Sequence, residues 1–549
     1  MRQTKLFFML LLAMIMSATG ALAQSVGTVF DYGTCKYKVS KKDLNDPSLN
    51  EAVVLEIGGT GKVVIPTEVQ TPVGMDQEKY KVVGCSPWDS KVAEGVTEVE
   101  FSEGFREITA NSLRKPQTLQ KIIIPASCET VGHGCFLDCP ALTSFEVKAG
   151  NTKYKAENGS LLSHDGTQLV YVPAGKTGNY TVPTGVTEIM PSAFSCCKNM
   201  EKITIPASVT KISENADYPS FNTSGTHFTV ESGNAKFKDI DGLLCDKAGK
   251  KLVHVPFKYD KLVEPENKLT IPASVTEVAD NAAIGSNIKK LDLNNTKKIG
   301  NAAFNSCSAL ESVTIGKDVE SIGQGAFTNC QFITKFEVDE NNSKYKAVND
   351  VLFTHDKKTL VLYPCGKENE YTVPEGTTKI DKFAFADVHK LPKVWIAKSV
   401  TTIEEAAFKG AKMLKTVEFL SPSQLQEIGT YAFQQTPLEN VIIPSSVAKL
   451  GDASFADTEK LTEVHFAANT LLKELPGNLF QNAKNLEKVL FDGANQLEKI
   501  NSYVFLNCPK LKEFTVPKTV KDIASGAFKG TAGLEKVGFE ELIRNSDVI

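Results

Sequence analysis

Apolar and polar residues alternate along this chain in short runs that repeat about every 23 residues. The stretch 299–330 reads IGNAAFNSCSALESVTIGKDVESIGQGAFTNC, with an Ala-Phe pair at Ala303-Phe304 and another at Ala326-Phe327. Between the pairs, Leu310 to Ile315 alternates in a way that predicts a short β-strand. Phenylalanines in this setting stand at Phe136, Phe194, Phe304, Phe327, Phe385, Phe408, Phe433, Phe455, Phe480, Phe505 and Phe528. One such unit cannot bury its apolar face alone, so the repeat predicts a solenoid of stacked coils.

Several of the predicted strands end at a proline. An Ile-Pro ending occurs at Ile124-Pro125, Ile271-Pro272 and Ile443-Pro444. Proline has no backbone N–H to donate, so it suits the end of a strand better than its middle. Strands that stop at the same height on successive coils predict a parallel sheet, which we expect to extend over residues 96–539.

Two phenylalanine intervals, Phe136 to Phe194 and Phe327 to Phe385, are both 58 residues long. Their inserted sequences match each other at a shift of 191 residues, and a third copy lies 83 residues after the first. The centre of the first copy, 161–171, has two apolar runs around an Asp-Gly turn, which predicts a β-hairpin. The three hairpin modules cover about 146–183, 229–268 and 337–374.

The repeat weakens between Val209 and Ala302, where Ser213 to Ser220 is polar and has no clear core phenylalanine. We expect a bend or an irregular coil there. At the other end, the last strand, Leu534 to Phe539, precedes a short tail, 540–549. Its open edge could pair with a second chain and so favour self-association.

The amino-terminal residues 1–23 resemble a secretion signal, with Arg2 and Lys5 before an apolar run and Ala21-Leu22-Ala23 at the end. We expect cleavage after Ala23 and no integral membrane segment thereafter, because the apolar run is too short to be a lasting span. Residues 24–95 lack the repeat and show short alternating runs. They predict a β-rich cap over the first coil.

The formal charge is −4, and removal of Arg2 and Lys5 makes it about −6. This mild acidity disfavours nucleic acid as a partner.

The chain has 12 cysteines, and five of them stand three residues after a repeat phenylalanine: Cys139, Cys197, Cys307, Cys330 and Cys508. Other coils hold alanine or threonine in that position, so it requires a small and mostly buried side chain. We therefore expect buried thiols rather than disulfides at these five positions. The state of the other seven cysteines is left open.

No motif for catalysis, for a metal or for a cofactor stands out among the seven histidines and the acidic residues. His164 and His355 share one module position before a turn, and we interpret both as hydrogen-bonded turn residues. Cys135 beside His133, and the Cys196-Cys197 pair, could suggest nucleophiles or metal ligands, but Cys197 is already explained as a core position. The expected sets of catalytic, cofactor-binding and metal-binding residues are therefore empty, and the chain is not expected to be an enzyme.

Two positions of each predicted strand face solvent, from Lys121 and Ile123 in an early coil to Glu513 and Thr515 in a late one. Most of them are Lys, Glu, Ser or Thr. The second position becomes less polar late in the chain, over a span of roughly 19 Å. A predicted protein-binding patch follows there: Trp395, Ile442, His465 and Leu490. The alternative is that these are isolated surface hydrophobic residues, which are common.

Together, the Ala-Phe pair, the following cysteine, the Leu-x-x-Val-x-Ile strand and the Ile-Pro ending resemble the BspA-like leucine-rich repeat family of bacterial surface and secreted proteins. Several coils depart from the pattern, with Ser454, Leu479 or Val504 before the phenylalanine. The resemblance implies a β-rich α/β fold, a right-handed leucine-rich-repeat solenoid outside the cytoplasm. It also implies adhesion to, or binding of, host or matrix proteins.

We therefore predict a secreted or cell-surface protein that binds an extracellular protein ligand, with the periplasm as another location. The main alternative is an envelope glycan-binding or glycan-processing accessory protein, and a third is a structural spacer without a ligand.

Overall fold

In a computed structural model of the chain, the structure describes residues 26–43, 45–73, 75, 77–86, 90–113, 116–213, 221, 225–259 and 266–539. The predicted signal peptide and the carboxy-terminal tail lie outside the described residues. The chain forms two compact units, one of Met1–Gly242 with Pro256–Lys258 and the other of Leu243–Val255 with Tyr259–Ile549. Within the described residues, no helix has the length and apolar character that a membrane span requires.

The first unit is built almost entirely of short strands. It has one 3-10 helix, Pro47–Leu49, and the strands β1 (Val29–Tyr32), β2 (Cys35–Lys41), β3 (Glu51–Ile57), β4 (Gly61–Ile65), β5 (Glu68–Gln70), β6 (Lys79–Cys85), β7 (Lys91–Val92), β8 (Val96–Phe101), β9 (Glu107–Ile108), β10 (Lys121–Ile124), β11 (Thr130–Val131), β12 (Ser144–Val147), β13 (Tyr154–Glu157), β14 (Ser160–Ser163), β15 (Gln168–Tyr171), β16 (Gly178–Thr181), β17 (Glu188–Ile189), β18 (Met200–Ile205), β19 (Lys211–Ile212), β20 (His227–Val230) and β21 (Phe237–Ile240).

The second unit continues the same pattern of longer and two-residue strands. Its strands are β22 (Leu243–Asp246), β23 (Lys251–His254), β24 (Lys268–Thr270), β25 (Glu277–Val278), β26 (Lys290–Asp292), β27 (Lys298–Ile299), β28 (Ser312–Ile315), β29 (Ser321–Ile322), β30 (Lys335–Val338), β31 (Tyr345–Val348), β32 (Val351–Thr354), β33 (Thr359–Leu362), β34 (Tyr371–Thr372), β35 (Lys379–Ile380), β36 (Lys393–Ile396), β37 (Thr402–Ile403), β38 (Thr416–Phe419), β39 (Glu427–Ile428), β40 (Asn440–Ile443), β41 (Lys449–Leu450), β42 (Glu463–Phe466), β43 (Glu474–Leu475), β44 (Lys488–Phe491), β45 (Lys499–Ile500), β46 (Glu513–Val516), β47 (Asp522–Ile523) and β48 (Lys536–Phe539).

Successive coils pair in parallel, strand upon strand, as the sequence predicts. In the first unit the longer strands form the sheets β4-β8-β10-β12 and β16-β18-β20. In the second they form β24-β26-β28-β30, β34-β36-β38, β40-β42-β44 and β46-β48. The two-residue strands pair in parallel in other sheets, such as β35-β37-β39-β41, which continues from the antiparallel hairpin strands β31-β32-β33. Each unit is therefore a β-solenoid with two kinds of sheet.

The segment predicted to be a cap is rich in strands, and its residues join the core of the first unit. β1, β2 and β3 pair antiparallel, whereas β3 pairs in parallel with β6, and β4 pairs in parallel with β8. Tyr37 and Tyr80 are buried in the same apolar cluster as Phe101 and Phe136. Whether this segment protects the end of the solenoid stays a prediction.

The repeat phenylalanines form an internal column, which confirms the main prediction. In the second unit the rings of Phe385, Phe408 and Phe433 stack with centroid separations of 4.5 and 4.9 Å. The column continues through Phe455 and Phe480, and each of these five rings is fully buried. Stacked aromatic rings fill the space between the two kinds of sheet, so most coils contribute one ring to the core.

One core phenylalanine was missed from the sequence. Phe221 is 2% exposed and stacks on Phe194 at a centroid separation of 4.9 Å. Phe221 lies further along the chain from Phe194 than the regular distance between successive core phenylalanines. The repeat pattern therefore did not identify it as the core ring of the irregular stretch. Residues 214–220 lie outside the described residues, and the predicted bend there stays a prediction.

Each of the eleven repeat phenylalanines lies at the centre of a five-residue turn, here called the arc, such as 302–306 around Phe304. The first and last residues of an arc have positive φ, as at Ala302 (49°) and Ser306 (59°). Alternating left-handed residues align the N–H groups of the arc toward the next coil. Phe304 N–H accordingly donates to the Ala326 carbonyl at 2.8 Å.

The predicted hairpins are present, and a buried asparagine holds each module. In the first, β13, β14 and β15 pair antiparallel before β15 joins the parallel β17. Asn342 in the 337–374 module donates to the carbonyls of Gly316 and Val319, and it accepts from the N–H groups of Lys344 and Tyr345. Asn151 and Asn234 make the same four types of bond in the other modules.

All twelve cysteines are free thiols, which confirms the prediction for the five that follow a core phenylalanine. Those five are fully buried. Burial raises the pKa of the Cys508 thiol to about 12, so it stays protonated at neutral pH. These cysteines act as small core residues that donate to backbone carbonyls, as Cys330 does to Phe304 at 3.1 Å.

Candidate functional site

Side chains of the longer strands alternate between the core and the exterior. In β40, Val441 and Ile443 are buried, while Asn440 and Ile442 are exposed. The first and third residues of most four-residue strands in the parallel sheets therefore form an outward surface, here called the strand face. The predicted patch residues all lie at its third position.

The strand face is not exposed everywhere, and Ile123 contradicts the sequence prediction. It is 4% exposed although it occupies an outward position on β10. Its register partners on the adjacent strands are Glu100 and Glu146. Lys148 Nζ lies 2.5 Å from Glu100 Oε1, so an ion pair between residues of two flanking coils covers the isoleucine between them.

Three of the four predicted patch residues lie side by side. Ile442 on β40 is in register with His465 on β42, which is in register with Leu490 on β44. Ile442 is 61% exposed and Leu490 40%. Because adjacent strands lie about 4.8 Å apart, the two apolar side chains are roughly 10 Å apart with the imidazole between them.

The structure places Trp395 apart from the other three residues. Its register partner is Glu418 on β38, and β38 is not hydrogen-bonded to β40 in the sheet order. The indole is half-buried, and Lys393 Nζ lies 4.4 Å from its ring centroid. Lys393 also pairs with Glu418 at 2.5 Å. Trp395 is therefore part of a charged cluster rather than of the apolar row.

His465 is held between two carboxylates. Its Nδ1 lies 3.0 Å from Asp492 Oδ1, and its Nε2 lies 2.8 Å from Glu463 Oε1. The hydrogen bond to Asp492, supported by the one to Glu463, raises the pKa of His465 above its ordinary value. The imidazole therefore gains positive charge at a higher pH than a free histidine, in the middle of an otherwise apolar row.

The structure also exposes aromatic residues that the sequence reasoning did not consider. Tyr431 and Tyr503 are exposed, and each is the first residue of an arc, with φ of 57° and 61°. The signal was an aromatic residue two positions before a core phenylalanine. It was overlooked because only the strands were searched for outward-facing residues.

The module histidines and aspartates stabilise turns, as predicted for His355. Its Nδ1 lies 2.9 Å from the Asn342 carbonyl oxygen. Asp165 accepts hydrogen bonds from Ser163 and Thr167, which lower its pKa to about 2.

His164 lines an open cavity of about 620 Å³ beside the first hairpin. Among the described residues, no three His, Cys, Asp or Glu side chains are arranged to hold a metal ion.

The chain aligns, at low sequence identity, with proteins of known structure. Crystal structures with which the chain aligns include the pneumococcal vaccine antigen PcpA (16% identity, 95% of this chain and 100% of that chain, TM-score 0.33). Another is a leucine-rich cell surface protein from Faecalibacterium prausnitzii (16%, 95% and 97%, TM-score 0.29). A third is a leucine-rich repeat protein from Eubacterium ventriosum (17%, 95% and 97%, TM-score 0.36). None of the curated proteins matches the chain.

The family of BspA type leucine rich repeat regions, in six copies, matches most of the chain. The matched residues are 92–158, 174–239, 264–359, 358–487 and 426–547. They include most of the stacked coils, the 337–374 hairpin module and the three adjacent patch residues. The chain belongs to the family of BspA-type leucine-rich repeat proteins.

Proposed function

We propose that this protein is secreted or held at a cell surface, and that it binds an extracellular protein ligand through its strand face without catalysing a reaction. The observation that carries the proposal is the exposed row of Ile442, His465 and Leu490 on three paired strands. Elsewhere the strand face bears mainly ion pairs between coils, such as Lys121 with Glu146. An apolar row bordered by charges is a common form of protein-binding site.

The row is suited to a ligand that buries two aliphatic side chains against Ile442 and Leu490. Its rigidity favours binding, because the strands are fixed by the sheet and little conformational entropy is lost. The extracellular location is supported by the family and by the predicted signal peptide at 1–23. The absence of a catalytic motif from the sequence favours binding over catalysis.

The proposal is tested by capturing ligands with the chain from Gln24 onward and then measuring their affinity. The double substitution Ile442→Ser with Leu490→Ser removes the apolar side chains and leaves the buried strand residues unchanged. We expect the affinity for a captured protein to fall by about tenfold or more.

Two further variants sharpen this experiment. Thr515→Ala changes an exposed third residue on β46, away from the row, and should leave the affinity unchanged. Trp395→Ala should reduce it less than the double substitution, because Trp395 lies outside the row. Equal affinities of the double variant and the unchanged protein would contradict the proposal.

A further inference from the structure

The hairpin module between Phe327 and Phe385 interrupts the stack of arcs. The arc before it is 325–329 and the arc after it is 383–387, and no backbone hydrogen bond joins these two fully described segments. The short segment 363–365 lies between them. Tyr363 N–H donates to the Ala384 carbonyl at 2.8 Å, and the Cys365 thiol lies 3.7 Å from the Phe327 carbonyl.

A gap remains on the outside of the solenoid where one arc is missing. It is a cavity of about 580 Å³ with walls from both arcs and from neighbouring coils. Small-molecule sites have volumes of about 300–1,000 Å³. We propose that this cavity binds a neutral oligosaccharide, at a site separate from the strand face.

The polar side chains around the cavity match the chemistry of sugar hydroxyls. The cavity is lined by the amides of Asn301, Gln324 and Gln435, the carboxylate of Asp387 and the ammonium group of Lys409. Amides both donate and accept hydrogen bonds, as hydroxyl groups do. The two charges are of opposite sign, so the cavity has no net charge that would select an anion or a cation.

Several of these groups are available to a ligand. The side chains of Gln324 and Gln435 are exposed and make no hydrogen bond to the described part of the chain. Asp387 is partly buried, with its Oδ1 3.7 Å from Lys412 Nζ. Burial raises its pKa above the ordinary value. A carboxylate that has lost part of its hydration has more to gain from the hydroxyl groups of a bound sugar.

An aromatic ring completes the site. Phe383 lines the cavity and opens its arc with a φ of 59°. A left-handed conformation costs a residue with a side chain roughly 1–2 kcal/mol, and the equivalent residues Gly325 and Asn478 are better suited to it. The fold itself therefore does not require an aromatic residue here. Its ring offers an apolar surface to the C–H face of a pyranose.

The polar and aromatic surface extends from the coil of Phe383 to the coil of Tyr431, two coils further along the chain. Lys409 lines the cavity, and its Nζ lies 5.4 Å from the ring centroid of Tyr431. Tyr431 is exposed and also opens its arc with a positive φ. Phe383 and Tyr431 are two coils apart, roughly 10 Å. This separation favours an oligosaccharide over a single sugar.

Affinity electrophoresis in native gels tests the proposal, with soluble neutral polysaccharides (β-glucan, starch, mannan, galactan and xylan) cast in separate gels. We expect at least one polymer to retard the protein. Calorimetry with oligosaccharides of that polymer should then show affinity reduced about tenfold by Phe383→Asn and by Asp387→Asn. Asn478 occupies the position of Phe383 in another coil, so the first substitution is compatible with the fold.

Tyr503→Asn makes the same kind of change at the first residue of an arc outside the cavity, and it should leave retardation unchanged. The proposal is wrong if no neutral polymer retards the protein. It is equally wrong if the Phe383 and Asp387 variants bind as tightly as the unchanged chain. Binding of a protein ligand at Ile442 and Leu490 is a separate result that neither outcome alters.

Discussion

The regular coils from Phe385 to Phe528 differ from the coil that carries the hairpin between Phe327 and Phe385. In the regular coils each arc donates backbone hydrogen bonds to the next, and the phenylalanine rings stack without interruption. In the hairpin coil, Tyr363 takes the place of a core phenylalanine and stacks on Phe385 at 4.9 Å. Bonds from the segment 363–365 take the place of the arc bonds, as when the Tyr363 N–H donates to the Ala384 carbonyl.

This difference shows how one coil of a solenoid can acquire a surface that its neighbours lack. Where one coil repeats the last, stability comes from many equivalent contacts between neighbouring coils. Where a coil is enlarged, individual residues must satisfy backbone groups that lose their regular partners. The displaced chain also leaves the cavity beside Phe383.

The largest expected effect is in the regular column. Phe408→Ala removes a fully buried ring between two stacked rings, and we expect a loss of about 3–5 kcal/mol in the free energy of unfolding. Urea denaturation followed by circular dichroism measures it. Phe332→Ala is the control, because that ring is 50% exposed and its loss should cost less than about 0.5 kcal/mol. Similar losses for the two variants would contradict the stacked column.

The hairpin coil depends instead on a polar side chain. Asn342→Ala leaves the Gly316 and Val319 carbonyls without their side-chain donor, and we expect a loss of about 2–4 kcal/mol. Hydrogen exchange should show faster opening of β31 and β32 than of β36. Asn341→Ala, at the exposed neighbouring residue, is the matched control. If it opens the hairpin equally, the buried asparagine is not what holds it.

The regular part of the fold could be predicted because its signals repeat. The period of Phe385, Phe408 and Phe433 identified the core column, and strand alternation identified most outward residues. The sequence Asn-Asn-Ser does not indicate that Asn342 is the buried residue that holds the hairpin module. Its equivalents, Asn151 and Asn234, nevertheless recur at the same place in the other two modules. Its role depends on which carbonyls the fold leaves unpaired.

The candidate sites were predictable to different degrees. The row of Ile442, His465 and Leu490 follows from alternation alone. The separation of Trp395 depends on a break in the sheet, and the covered Ile123 depends on an ion pair from flanking coils. The cavity beside Phe383 has no local sequence signal, because its walls come from segments that only the hairpin module brings to the same place.

A smaller effect tests the anchoring of the hairpin. The Tyr345 hydroxyl accepts a hydrogen bond from the Ile322 N–H, as Tyr154 does from Val131 in the first module at 2.9 Å. Tyr345→Phe should cost about 1 kcal/mol in the free energy of unfolding. The equivalent residue in the 229–268 module is Phe237, which has no hydroxyl group. Phe237→Tyr is therefore the reverse comparison, because it adds the group that Tyr345→Phe removes. No measurable change for Tyr345→Phe would show that the bond contributes nothing.

The smallest effect compares two histidines. Asp492 and Glu463 raise the pKa of His465 in the regular coils, whereas burial and Lys412 lower that of His389 beside the hairpin. Carbon-13 NMR of labelled histidines, assigned with His465→Gln and His389→Gln, should show His465 protonating first as pH falls. The reverse order would contradict the carboxylate contacts.

The two shifts have opposite consequences for stability. The folded pKa of His465 lies above the unfolded value, so its contribution is complete below the unfolded pKa and is lost as pH rises through the folded pKa. For His389 the folded pKa lies below the unfolded value. Its contribution is present above the unfolded pKa and is lost as pH falls through the folded one.

The arcs have a direction, since Phe408 N–H donates to Ala432 and Phe433 N–H donates to Ser454, always toward the following coil. At the arcs, a cut between two regular coils would therefore leave free donors on the earlier piece and free acceptors on the later one. Two such pieces can rejoin in one order only. The backbone thus carries a polarity that governs how fragments of this chain could be recombined, whatever their side chains are.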